Sequence, residues 1–502
     1  MPRRIPRWLV ATVLGGMVLA GVAVVPAAAT AVPAVPAPAA AATCRDNPFT
    51  HGFADYMAAR WPHNRISAAV YDDATGCQYT YRPDLRLTTA SVIKIEIMAA
   101  VLLRAQRAGR GLTQWEKDRI WPMITESDNT AASELWYSIG GVPGMQALER
   151  DLGLTETVAA GPTWGLTTTS ATDRNAVLRQ VLLGEYGPLD ATSRAIARSY
   201  MLKVIPSQRW GATAGVPAGY LVPLKNGFYD STCCNWRINT SAVIERPNGT
   251  HYALTVLSDG WSSDRPGIDA VEFVSRVVNA AISKPFGPFS STTSFVRQQY
   301  RDILGRSPTF GEIYFGTQYI GQSADQAAEL IEQIVQSAEL DSSGRFVLRL
   351  YLGALGRLPD YPAYRQRRDR VHLGLSTQLQ EAQAFATNPT VVGSPTPTDA
   401  QFVDTMYDRA VGHPPSSSVR AHWIERLGQG LSRGAVLLQF TESPEAVWRQ
   451  AVPSLVAASV LSMLQRPPRT HYQDWIARLR AGEPLSTLTG ELFHLPEYRA
   501  RF

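Results

Sequence analysis

Two side chains three residues apart define the chemistry open to this chain of 502 residues: Ser91 and Lys94, in the stretch Ser-Val-Ile-Lys. A serine hydroxyl is a poor nucleophile at neutral pH. An amine held beside it and partly desolvated can lose its own proton and take the one on the hydroxyl. Positions i and i+3 share a helix face, so a helix beginning here would let the two groups meet. Ser127-Asp128-Asn129 and then Lys225-Asn226-Gly227 follow in chain order, adding a second hydroxyl and a second amine. Lysine is scarce in this chain: of 48 basic residues only five are lysine (Lys94, Lys117, Lys203, Lys225 and Lys284). Arginine keeps its proton and cannot serve as a base, so a composition this biased retains lysine where deprotonation matters. Alone, Ser-Asp-Asn is an ordinary turn or cap sequence and Asn-Gly a hairpin turn. The ordered trio is what carries the chemistry.

Ser-x-x-Lys, then Ser-Asp-Asn, then Lys-(Thr/Ser)-Gly is the motif set of class A β-lactamases and penicillin-binding proteins. Over residues 48–283 the sequence resembles that class A β-lactamase-like, penicillin-recognising family of serine hydrolases, most closely those of actinobacterial type. The resemblance implies an acyl-enzyme on Ser91 with Lys94 as base. It implies that Ser127 relays a proton toward the leaving nitrogen and that Asn129 orients Lys94 and the substrate amide. Lys225 would hold a substrate carboxylate, with Asn226, Gly227 and Phe228 completing the substrate-binding strand. The oxyanion hole would be the backbone N–H groups of Ser91 and Phe228, and Gly227 would allow close approach. Asp128 is expected to bond its own loop.

Two departures stand out. Asn226 replaces the family's Thr or Ser and removes a hydroxyl that helps bind the substrate carboxylate. Between Ala159 and Asp173, where the family carries the Ω-loop glutamate that activates the deacylating water, there is no acidic residue, and Glu156 comes too early. Without that base an acyl-enzyme would form and persist. The expected function is an exported serine hydrolase acting on a β-lactam or related amide. The rivals are a D-Ala-D-Ala carboxypeptidase or transpeptidase of wall peptides, and a catalytically degenerate envelope-binding protein. Trp164-Gly-Leu-Thr-Thr-Thr169 resembles the segment after the Ω-loop and is read as scaffold.

The elements that must position these groups are legible in outline. Helical spacing of Phe53, Tyr56, Met57 and Trp61 predicts a first helix over 47–61. Segments 66–71 and 78–81 around a turn read as a hairpin. The helix carrying Ser91 and Lys94 should run to about Gly109, with residues 114–183 mostly helical. Strands are expected at 221–225, 238–245 and 252–258, and a last helix at 267–282. This matches the α+β fold that the resemblance implies, an antiparallel sheet built from both ends of the domain with an all-helical subdomain inserted.

Beyond that domain, Phe295-Val…Tyr300…Gly305-Arg306 returns as Phe346-Val…Tyr351…Gly356-Arg357, as Phe402-Val…Tyr407…Gly412-His413, and faintly up to Arg466. A period of about 50 residues predicts three to four small helical units sharing one core. They resemble a bacterial repeat family of unassigned function. The full expectation is a signal peptide at 1–29, an Ala/Pro-rich linker at 30–47, the hydrolase at 48–284, a linker at 285–293 and the all-α repeats at 294–502.

Arg3, Arg4 and Arg7, the apolar run 8–25 and Ala27-Ala28-Ala29 have the layout of a secretory signal, and no later apolar segment is expected to span a membrane. The net charge of +5 and pI near 9.0 reflect arginine bias, and no basic block with interleaved aromatics suggests nucleic acid. The protein is expected outside the cell or at the envelope. Its expected partners are a small β-lactam or peptide and, through the repeats, a cell-wall polymer. No cofactor or metal is expected, for no His-Glu-x-x-His is present. Of the four cysteines, Cys44 and Cys77 are the expected bridge, while the adjacent Cys233 and Cys234 are left open.

Overall fold

A nearly continuous buried run forms β1 (Arg65–Asp72), and the turn after it returns the chain as the alternating β2 (Cys77–Tyr81). The computed structural model describes residues 44, 46–50, 52–231, 235–393, 396–469 and 471–502. The expected signal peptide, most of the first linker and the Cys233-Cys234 pair lie outside them. A disulfide joins Cys44 to Cys77, with Cα atoms 5.5 Å apart, and ties the first described residue to β2.

Two short strands, β3 (Leu87–Thr88) and β4 (Thr168–Thr169), pair beside the main sheet. β5 (Leu224–Tyr229), β6 (Arg237–Glu245) and β7 (His251–Asp259) join β1 and β2 in an antiparallel sheet of order β2-β1-β7-β6-β5. Because β7 lies between β1 and β6, the two ends of the domain share one sheet. α1 (Phe53–Arg60) and a long α8 (Asp264–Ile282) cover one face, burying Phe53, Met57, Ile238, Leu254, Val271 and Val274. The helices between are α2 (Lys94–Arg107), α3 (Gln114–Thr125), α4 (Asn129–Ser138), α5 (Gly141–Asp151), α6 (Ala171–Leu178) and α7 (Ala191–Met201). They enclose a second core around Ile97, Met98, Val101, Ile124 and Trp136.

Two local expectations are corrected. Ser91 does not sit in an α-helix but in the 3-10 turn Ala90–Ile93 that feeds α2. The strand expected at 221–225 is β5, which runs from Leu224 to Tyr229 and is paired along its length with β6, so Asn226-Gly227 lies on the strand as the motif reading placed it. Cross-strand pairing with a buried neighbour outweighs the local turn preference of Asn-Gly.

The remaining helices fall into four successive sets. They are α9 (Thr292–Leu304), α10 (Phe310–Ile320), α11 (Ala324–Val335) and α12 (Ala338–Leu340); α13 (Phe346–Leu355), α14 (Tyr361–His372), α15 (Gln378–Ala386) and α16 (Pro389–Val392); α17 (Asp399–Val411), α18 (Ser417–Gly428), α19 (Arg433–Thr441) and α20 (Pro444–Leu464); and, after α20, α21 (Tyr472–Arg480), α22 (Leu485–His494) and α23 (Pro496–Arg499). Phe295, Phe346 and Phe402 stand at related places in one shared core. The carbonyls that end α9, α13, α17 and α20 each accept from an arginine brought from elsewhere: Arg368, Arg409, Arg449 and Arg501 respectively. α20 is, by length and composition, long enough to span a bilayer, contrary to the sequence expectation, but 61% of its apolar window is buried inside the protein.

The segment 285–293, expected as a linker, is packed: Phe286 and Phe289 bond to each other through their backbones and bury both rings. Phe310 of α10 inserts beside Phe53 and Tyr56, and the Tyr314 ring lies tilted with its centroid 4.4 Å from that of Phe273, so α10 helps close the core beneath the sheet. Asp46 accepts from Ser290 and Ser294 at the same seam.

Candidate active site

Ser91 opens onto a cavity of about 370 Å³, lined also by Asn129, Ser133, Trp164, Leu166, Phe228 and Tyr229. The residue before it, Ala90, has φ 49°, and Ser127 across the cleft has φ 63°. Left-handed backbone at a non-glycine residue costs about 1–3 kcal/mol, so two such residues mark a surrounding structure that enforces a geometry. Asn239 on β6 supplies part of that enforcement. Its amide donates to the carbonyls of Thr88 and Thr89 at 2.9 and 3.0 Å, while its oxygen accepts from Ser258 N–H.

Lys94 and Lys225 are both fully buried. Lys94 Nζ donates to the Ser127 carbonyl at 2.6 Å, to Ser127 Oγ at 3.1 Å and to Asn129 Oδ1 at 2.8 Å. From the other side Lys225 Nζ donates to Ser127 Oγ at 3.0 Å and to the Asn226 carbonyl at 2.8 Å. One hydroxyl therefore bridges two amines. Burial lowers the Lys94 pKa to about 7, with Asp128 opposing. Burial, and then the neighbouring Lys94, hold Lys225 well below the ordinary lysine value. Among the described residues neither amine has a carboxylate within ion-pair distance. Asp128 caps α4, its Oδ1 accepting from Ala131 N–H at 2.7 Å, which is the loop-bonding role expected of it.

Gly227 is where β5 meets the turn that carries Ser91. A Cβ there would stand 2.7 Å from Ser91 N, 2.8 Å from Val92 N and 2.9 Å from the Thr89 carbonyl, so only glycine fits. Phe228, next along β5, is part-exposed in the cavity wall beside Trp210. Asn226 is the departure. Expected to contact substrate, its side chain is fully buried, donating to the carbonyls of Gln208 and Trp210 at 2.8 and 3.0 Å. It alternates with Lys225 and Gly227 along the strand, so it anchors the 208–210 segment instead.

The sequence reading missed Trp164. Taken as scaffold, it lines the cavity with its ring centroid 4.9 Å from Lys94 Nζ, and its indole N–H donates to Ser133 Oγ at 3.2 Å. The loop it belongs to presents Pro162, Thr163, Trp164, Gly165 and Leu166 to the cavity and no carboxylate. Its anchor is Thr89 N–H to the Thr167 carbonyl at 2.8 Å. Nearby acids are spent: Glu96 pairs with fully buried Arg174, and Glu156 with Arg86. Tyr229, also missed, closes the far wall, its hydroxyl 3.2 Å from Thr88 Oγ1 and its ring under Arg237. Such contacts depend on how the loop and strands fold, so no local pattern announces them. Among the described residues no group of His, Cys, Asp and Glu could hold a metal.

Residues 53–282 match the model of the β-lactamase enzyme family, and residues 382–449 match a domain of unknown function that recurs in other proteins. Among solved structures, a mutant of PBP-A captured as the acyl-enzyme with penicillin G is 22% identical, covering 46% of this chain and 94% of that one, with a TM-score of 0.41. An ancestral class A β-lactamase is 26% identical over 45% of this chain and 98% of its own, TM-score 0.40. A β-lactamase from Xanthomonas campestris is 22% identical with the same coverage, TM-score 0.40. No curated protein sequence matches the chain.

Proposed function

We propose a serine acyl-transfer reaction for residues 53–282, which form a domain of the β-lactamase enzyme family. Ser91 takes up the acyl group of a β-lactam or related amide, and the ester is then released slowly. The observation that carries this reading is Ser127 Oγ bridging two buried amines beside Ser91. Neutral Lys94 accepts the Ser91 proton as Oγ attacks the carbonyl carbon. The oxyanion collects on the backbone N–H groups of Ser91 and Phe228, which Gly227 brings together. As the C–N bond breaks, the proton held by Lys94 passes through Ser127 to the leaving nitrogen. Lys225, buried without a counter-charge, gains one when a substrate carboxylate enters.

Slow release is supported by the loop 159–173. It turns Pro162, Thr163, Trp164, Gly165 and Leu166 to the cavity and no carboxylate, so this loop offers no group to take a proton from an attacking water. The same feature keeps a D-Ala-D-Ala peptidase reading in play, because an enzyme of wall peptides does not need rapid hydrolysis of a penicilloyl ester. Export to the envelope is part of the proposal, resting on the signal-like N-terminus. Stopped-flow mixing with a chromogenic cephalosporin tests the reaction: one fast equivalent followed by slow turnover is expected, lost in Lys94→Met. Release of D-alanine from a D-Ala-D-Ala peptide would move the substrate to wall peptides. Inertness toward both would leave a binding role only.

A further inference from the structure

The carbonyl-capping arginines of the helical region differ in what balances their charge. At the ends of α9 and α20 the balance is complete: Arg501 pairs with Asp302 at 2.9 Å, and Arg368 pairs with Asp369 at 2.7 Å. At the ends of α13 and α17 it is absent. Arg409 donates to the Ala354 carbonyl at 2.6 Å and Arg449 to the Arg409 carbonyl at 3.2 Å, and among the described residues neither has a carboxylate within ion-pair distance. In the repeat register that aligns Gly305 with Gly412, Arg409 occupies the place that Asp302 holds in the first set, so the charge there is inverted.

These two arginines and Arg480 of α21 line one cavity of about 260 Å³ between α13, α17, α20 and α21. Arg480 has neither a carboxylate nor a carbonyl partner among the described residues, so capping does not account for it. Gln450 forms part of the same lining and is 4% exposed. Its amide nitrogen donates to the Ala410 carbonyl at 3.2 Å, and its Oε1 is buried with no partner. A buried acceptor left unpaired is unfavourable, and a donor from a bound molecule would satisfy it.

We propose that this cleft binds the phosphate ester of a polyol. Guanidinium groups on three helices can reach different oxygens of one tetrahedral anion, and two are already held in place by their carbonyl bonds. The orphaned Gln450 oxygen then accepts from a hydroxyl of the same ligand. The cavity is smaller than the ~300 Å³ floor for drug-sized ligands, which suits one phosphate with a short polyol. That unit could be a free ester or one repeat of a polyol-phosphate polymer, and the two sources share this recognition chemistry.

Calorimetric titration of the full chain with methyl phosphate, glycerol phosphate and poly(glycerol phosphate) tests the assignment. Saturable binding of glycerol phosphate is expected, at least tenfold weaker in Arg480→Gln, whose side chain supports nothing else. Gln450→Leu, checked for an unchanged fold by its melting curve, should abolish the preference for glycerol phosphate over methyl phosphate. Tighter binding of the polymer than of the monomer would identify the polymer as the source, and equal binding the free ester. Binding that is non-saturable, absent for all three, or equal in Arg480→Gln overturns the proposal.

Discussion

The Ser91 cleft and the helical region treat buried charge in opposite ways. In the helical region it is matched: Arg349 is held between Asp341 and Glu442, and Arg306 between Glu312 and Glu339. At the hydrolase cleft Lys94 and Lys225 are buried deeper, share one serine hydroxyl and have no carboxylate partner. Desolvation that is compensated holds a fold together. Desolvation left uncompensated shifts a proton, and the shifted proton is what catalysis uses. The Arg409–Arg449–Arg480 cleft differs from both: its arginines are exposed and have no carboxylate partner among the described residues, so their charge is free for a ligand without being desolvated.

Breaking each kind of site should therefore give separable losses. Lys94→Met removes the base, and acylation of Ser91 should fall about 10²–10⁴-fold with folding retained, read by stopped flow and circular dichroism. Arg349→Leu leaves Glu442 without its ion-pair partner, while Asp341 keeps Arg345, and should destabilise by about 3 kcal/mol in urea titrations while the acylation rate of the folded protein stays unchanged. Phe310→Ala tests whether the two regions depend on each other. It empties a site shared by Phe53 and Tyr56 and should cost about 3–5 kcal/mol in a single unfolding transition. A separate early transition of the hydrolase domain would show that α10 is not part of its core.

The contrast is sharpened by pH. Because burial lowers Lys94 to about 7, its basic form grows as pH rises toward that value and predominates above it. The acylation rate should climb about tenfold per unit below pH 7 and level off above. A profile still rising to pH 10 would mean an ordinary, solvated lysine. The smallest effect is expected for Trp164→Phe, which keeps the ring over Lys94 and gives up only the bond to Ser133, a loss of about 0.5–1.5 kcal/mol. Trp164→Ala should do more, admitting water, moving the acylation profile to higher pH and speeding loss of the acyl group, both measured on the same enzyme.

What was legible in the sequence and what was not divides along physical lines. Ser91, Lys94, Ser127, Asn129 and Lys225 could be named because their order matches the motif set of the family the sequence resembles; the structure joins Lys94, Ser127, Asn129 and Lys225 by hydrogen bonds and sets Ser91 with Asn129 in the cavity wall. The β1–β2 hairpin and α8 were legible from periodicity. The strand expected at 221–225 was placed too early, for β5 runs through Asn226-Gly227 to Tyr229 in a conformation set by its pairing with β6. The side chain of Asn226 was given to substrate, although strand alternation turns it away from Lys225. Trp164 was passed over because its neighbours, Lys94 and Ser133, are brought to it only by the folded loop. The segment 285–293 read as a linker from its Pro and Ser content, yet its phenylalanines are core residues, and only tertiary packing distinguishes the two.

In the proposed reaction Ser91 forms an acyl-enzyme that this site cannot quickly release. Intact-protein mass after brief exposure to a fluorescent penicillin tests it most directly, with Ser91→Ala as control. A stoichiometric adduct that persists in the wild-type chain and is absent from Ser91→Ala is the predicted result. Rapid turnover with no adduct would contradict the account by revealing a hydrolytic base that the loop 159–173 does not contain, and an adduct that survives in Ser91→Ala would place the nucleophile elsewhere.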